Sequence, residues 1–303
     1  MSVVPVEVPA SGAAGSRRSV SARLVRAEVM KVRTTRAWWL FVGGFAALSV
    51  LAAALFGWAA HHAELYPPPD LTNEADALAR AAFYRTPAGT AALAASMMTS
   101  GQALLVLVTL LLGVHVVTSE YAARTMTSTF LVTPRRGLVI GAKLVTAAAF
   151  GMGFWATATV VDLAVTPVFL TAQHLPRAAL GSSDVARAVV MGLLAYVLWA
   201  LFGLGLGAVL RSQVVAAIAA IAIYAGGFAA VELVVHLLNN AFHASWLLGL
   251  AVLAPAAASN VMIASGRAFQ GAPPWWVGAL VLLGYGVALA GFGVAMIRRQ
   301  DVS

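Results

Sequence analysis

Six runs of mainly apolar residues dominate this chain, each near the ~20 residues a helix needs to cross a hydrocarbon core. They cover residues 38–60, 97–117, 144–170, 189–210, 214–238 and 275–297. Composition agrees with that reading. Hydrophobic residues make up 61% of the 303-residue chain and charged residues 10%, where a soluble domain carries about 25% charged. The predicted fold is an all-α integral membrane protein with six transmembrane helices. A seventh run, residues 246–258, is shorter and broken by Pro255. It reads as a pair of short re-entrant or interfacial helices between spans five and six, on the outer side. The first run starts behind a basic segment and continues too far for the core of a cleavable signal.

Charge placement sets the expected orientation. With the N-terminus in the cytosol, 14 of the 19 Lys and Arg residues fall inside and 5 outside. That bias favours cytosolic N- and C-termini. The first outer loop, residues 61–96, adds acidic Glu64, Asp70, Glu74 and Asp76. The formal charge of +8 is therefore a topology signal and a contact for anionic lipids, not a nucleic-acid patch. Cysteine is absent, which rules out disulfides and thiolate metal sites.

The chain divides into a small, polar tail over residues 1–18, expected to be disordered, and a single membrane domain over residues 19–303. Residues 19–36 place Ala22, Val25, Val29 and Val32 at helical spacing, with Arg23, Arg26, Lys31 and Arg33 off that stripe. This predicts an amphipathic helix lying in the headgroup region, followed by Trp38 and Trp39 at the interface. Between spans two and three lies a loop of net charge +3, carrying Glu120, Arg124, Arg135, Arg136 and Lys143. Ser119 is positioned to cap a helix starting at Glu120. Met126, Phe130 and Val132 supply an apolar side to that helix, and Pro134 stops it.

These elements carry a family resemblance. The segment Glu28-Val29-Met30-Lys31-Val32-Arg33-Thr34-Thr35-Arg36, with Trp38 and Trp39, resembles the N-terminal helix of type-2 ABC transporter permeases. Glu120-Tyr121, Arg124-Thr125, Thr133-Pro134-Arg135-Arg136 and Lys143 resemble that family's coupling segment. The order of elements is similar from Arg23 to Asp301, including the ending Arg298-Arg299-Gln300-Asp301. The resemblance implies the membrane subunit of a bacterial ATP-driven exporter in the plasma membrane. Such a subunit pairs with a second permease subunit, identical or not, and two copies of a separate ABC ATPase. It implies that Glu120, Tyr121, Arg124, Thr125, Pro134, Arg135 and Arg136 meet the ATPase, and that Glu28, Lys31 and Arg33 belong to the interfacial helix. No G-x-x-x-x-G-K-S/T sequence occurs, so ATP and magnesium are assigned to the partner and no cofactor to this chain.

Ionisable residues well inside spans are Asp162 in span three, and Glu232 and His236 four residues apart in span five. Charges there are costly and face protein or water. They suit a substrate contact, a proton-linked site, an inter-span pair or a structural hydrogen bond. The competing function is a proton-coupled secondary transporter using Asp162 or Glu232. His115, near the cytosolic end of span two, reads as structural. Gly203, Gly205 and Gly207 in span four, like Gly291 and Gly293 in span six, read as packing positions within one subunit. Enzymatic equipment is thin. There is no H-E-x-x-H, and Glu120-x-x-x-Arg124 lacks the partners of an intramembrane protease. Glu232, His236 and His243 offer three candidate metal ligands and no evident fourth. The chain reads as non-catalytic, with no metal.

Overall fold

The computed structural model describes residues 12–67, 74–123, 125, 136–242, 245–264 and 271–299. Among these residues all regular structure is helical. Helix α1 (Gly12–Arg33) precedes α2 (Arg36–Ala59). The sequence reading placed α1 at residues 19–36, so the helix begins earlier and ends sooner. It ends because Thr35 is extended, with φ −81° and ψ 148°. The Thr35 hydroxyl donates to the Val32 carbonyl at 2.7 Å, meeting one acceptor that the helix end leaves open. One π-helical turn, Ala60–Leu65, prolongs α2.

The expected outer loop is largely helical, forming α3 (Glu74–Tyr84) and α4 (Pro87–Met97). Thr86 caps α4, its Oγ1 accepting from the Gly89 N–H at 3.1 Å, and Pro87 fills the first turn where no N–H is required. Helix α4 passes through a short turn into α5 (Gln102–Ala122). Then come α6 (Arg136–Ala172) and α7 (Ser183–Leu210). Helices α8 (Gln213–Ile221) and α9 (Gly227–Phe242) are joined by the π-helical turn Ala222–Gly226. The 246–258 run forms a 3-10 helix, Ser245–Leu253, and α10 (Pro255–Ile263), broken at Ala254-Pro255 as the proline requires. The last helix is α11 (Trp275–Arg299).

Among the described residues five stretches are long and apolar enough to cross a membrane: Trp38–Leu65, Pro87–Ala122, Gly137–Ala172, Ser183–Leu210 and Gln213–Phe242. This is the make-up of a multi-pass membrane protein. The sixth expected span falls on α11, which is helical over all of Trp275–Arg299.

Helix α7 is the centre of the bundle, packing on α4, α5, α6, α10 and α11. Trp199, with none of its surface exposed, sits at its core. Contact with α5 is closest at two glycines. A Cβ on Gly203 would lie 2.0 Å from the Leu110 carbonyl oxygen, and one on Gly113 would lie 2.2 Å from that of Ala200. Backbones that close admit only glycine. The expected packing role thus holds for Gly203, and Gly207 also faces α5, with the Val114 carbonyl oxygen 2.9 Å from its would-be Cβ. Among the described residues it finds no support at Gly291, whose would-be Cβ meets no atom there within 4 Å. Phe45 of α2 stacks on Phe154 of α6 at 4.2 Å between centroids, tying the first span to the third.

Candidate functional site

Four charged side chains from three helices meet at the α1 end of the bundle. Glu28 and Lys31 lie one turn apart on α1, so they share a face. Glu120 stands in the last turn of α5, and Lys143 two turns into α6. Lys31 Nζ donates to Glu28 Oε1 at 2.7 Å and to Glu120 Oε1 at 2.6 Å. Lys143 Nζ donates to Glu28 Oε2 at 2.6 Å and lies 2.9 Å from Glu120 Oε1. Each ammonium therefore contacts both carboxylates, closing a ring of two positive and two negative charges.

The ring is shielded unevenly. The side chains of Lys143, Glu28 and Glu120 are 3%, 5% and 6% exposed, while that of Lys31 is 44% exposed. Burial penalises each charge, and only close opposite charges offset it. At Lys31 partial burial opposes the ammonium. The hydrogen bonds to Glu120 and Glu28 and their negative charge outweigh that, and hold its pKa above the ordinary lysine value. Glu120 Oε2 is buried without a hydrogen-bond partner among the described residues.

The sequence reading made Glu120 the start of a separate helix capped by Ser119. Instead α5 runs unbroken through both residues to Ala122, and the Ala123 N–H donates to the Ser119 carbonyl at 3.0 Å. Glu120 thus sits at the negative end of its helix dipole, which disfavours a carboxylate. Two lysines supply the compensation that the dipole does not.

The other expected coupling residues are dispersed. Tyr121 is half-buried against the main core. The Thr125 N–H donates to the Glu120 carbonyl at 3.0 Å, closing the end of α5. Arg136 opens α6. Arg124, Pro134 and Arg135, with Met126, Phe130 and Val132, lie outside the described residues. Arg33 is exposed on α1. On that helix the buried face carries Glu28 and Val32, with Val25 and Val29 half-buried, whereas Ala22 of the expected stripe is exposed. Lys143 was read as the basic end of the loop and of the segment that resembles the coupling segment, not as a partner of Glu28. What could have revealed it is charge balance: Glu120 and Lys143 flank the same end of neighbouring spans, within reach of an oppositely charged pair one turn apart on α1.

Asp162 is buried in α6, where Ser100 Oγ donates to its Oδ1 at 3.2 Å. Glu232 and His236 are exposed on α9, and no hydrogen bond or ion pair joins them among the described residues. His243 lies outside the described residues, and among those described no three His, Cys, Asp or Glu side chains gather as a metal set. His115 packs on Phe41 at 5.8 Å and its Nδ1 meets Gln213 Nε2 at 3.3 Å, a structural setting.

No protein-family model matches this chain, and no curated protein matches it. The ring of charges can therefore be judged only by its chemistry. Its four groups are spent on one another, two ammoniums on two carboxylates. What it does physically is fasten an N-terminal helix to the ends of two apolar helices.

Proposed function

We propose that this chain is the permease subunit of an ATP-driven ABC transporter, exporting a hydrophobic or amphipathic substrate. One observation carries the reading. Glu28, Lys31 and Glu120, drawn from two separate segments that resemble the family, converge with Lys143 in a single buried ring. In this reading α1 lies on the cytosolic face of a bacterial plasma membrane among anionic lipids. The segment following Glu120 docks on a separate ABC ATPase, present in two copies, which binds ATP and magnesium. A second permease subunit completes the pathway, and a sixth span runs through α11. Displacement of the docked segment reaches α1, α5 and α6 together, because the ring holds them as one body. A rigid unit of that kind can turn a soluble partner's closure into span movement.

Co-purification with an ABC ATPase, followed by ATP hydrolysis measured in lipid, tests the reading. Charge reversal at Arg124, which is not a member of the buried ring, should leave membrane insertion intact and either weaken ATPase retention or uncouple hydrolysis from transport. Variants that insert, retain the ATPase and transport like the parent would overturn the assignment. A proton-coupled carrier is the second reading, and buried Asp162 favours it. Transport by the chain alone, abolished by a protonophore, would select that reading instead.

A further inference from the structure

Asp162 presents a different problem from the charged ring. It is 5% exposed within an apolar helix, and among the described residues no Lys, Arg or His pairs with it. The Ser100 hydroxyl is its one hydrogen-bond donor there. A carboxyl so placed must either carry a proton or have a positive charge close by. Beside it lies a cavity of ≈ 10 Å³ between α5, α6 and α7, where Asp162, Thr99, Gln102, Thr159 and Tyr196 are set in an otherwise mainly apolar lining. That is room for about one water-sized particle. Gln102, 8% exposed, is the second sign of a ligand: its Nε2 is buried with no hydrogen-bond partner among the described residues. Rotating that amide by half a turn presents Oε1 in place of Nε2.

We propose that Asp162, Gln102 and the neighbouring hydroxyls form a site for one monovalent metal cation of sodium's size. The donors are oxygens, the preference of hard cations. One carboxylate among neutral oxygens balances a single positive charge, whereas a divalent ion would leave one charge uncompensated in an apolar setting. Space at the site depends on Gly192. A Cβ there would stand 3.7 Å from Trp155 Nε1 and 4.0 Å from the nearest atom of the Gln102 terminal amide. Alanine is accommodated at ordinary contact, but a branched side chain would extend into the cavity.

The purified full chain in lipid nanodiscs tests this without any ATPase, so the result does not depend on the transporter reading. Thermal unfolding is followed against sodium chloride, with N-methylglucamine chloride holding ionic strength constant. The expected result is a saturable rise of about 2–4 °C specific to sodium. Asp162→Asn should abolish it, and Gly192→Val should move it to about tenfold higher sodium. Retention of radioactive sodium by the parent gives a second readout. If Asp162→Asn does not fold, Ser100→Ala and Gly192→Val keep the carboxylate and decide the matter by the same shift. An unfolding midpoint equal in the two salts, or a sodium effect surviving in Asp162→Asn, overturns the proposal. So does a midpoint that follows pH alone, which assigns the site to a proton.

Discussion

Lys143 is the residue on which the charge ring turns, since it is the more deeply buried of the two cations. Lys143→Met would leave two buried carboxylates sharing the half-exposed Lys31. Breaking a buried pair by removing one partner costs about 3–5 kcal/mol, and unfolding in lipid should show a loss of that order. Adding Glu120→Gln should recover part of it, because the second change removes the charge that the first left unpaired. Additive losses would show that the two side chains act separately. Lys31 yields a pH prediction of definite sign. Its folded pKa is raised, so its contribution is fully present below the unfolded value of about 10.4. That contribution fades as pH rises through the higher folded value. Unfolding followed from pH 8 to 12 should show an alkaline loss of stability that Lys31→Met lessens. These residues were partly legible in the sequence. Glu28, Lys31, Glu120 and Lys143 all stood out through resemblance, but their meeting in one ring did not, because burial of a loop-end lysine depends on which helix end swings over it. The placement of Glu120 was misjudged for a local reason: a charged residue after an apolar run looks like the start of something new, and here two lysines let the same helix continue through it.

At the scale of elements, apolar periodicity found the helices well, since length and hydropathy alone set the need to close backbone hydrogen bonds. It missed what lies between them. Residues 61–96 read as a loop because their helices are short and Ala-rich, yet α4 is capped and both helices are packed, Ala77 and Ala81 of α3 and Thr90 and Leu93 of α4 being buried. Thr86→Ala should cost about 1 kcal/mol through loss of the α4 cap, visible as a lower unfolding temperature with the helix content unchanged. The glycine strip shows the same limit. Spacing marked Gly203 and Gly291 alike, but only the helix across from each decides, and α5 faces Gly203. Gly203→Ala places a Cβ 2.0 Å from the Leu110 carbonyl oxygen, which forces α5 and α7 apart. Overpacking of this kind costs about 1–3 kcal/mol. Gly291→Ala, with open space around it, should unfold like the parent. Equal effects at the two positions would argue against close packing of α5 on α7.

At the scale of the molecule, burial is shared unequally among the spans. In their most apolar windows 72% of Pro87–Ala122 and 61% of Ser183–Leu210 are buried, against 12% of Gln213–Phe242. The inner pair forms the core, while the fifth stretch leans on the outside and shows Val214, Ile218, Leu233, Leu237 and Phe242 outward. Lipid alone could cover such a surface were it not for Glu232 and His236, which are exposed on the same helix. Ionisable groups turned to hydrocarbon are costly, so the second permease subunit proposed above has a physical reason to cover this face. For two identical subunits the test is direct, because the chain has no cysteine of its own. Leu233→Cys, at a position 60% exposed on α9, should cross-link under mild oxidation in native membranes to twice the chain's mass. Leu163→Cys, 51% exposed on α6, serves as the control and should stay monomeric. Glu232→Leu combined with His236→Leu should slow cross-linking through Leu233→Cys if those polar groups bridge the two copies. Equal cross-linking at both positions would indicate random collision in the membrane, and none at Leu233→Cys would remove α9 from any interface between identical copies.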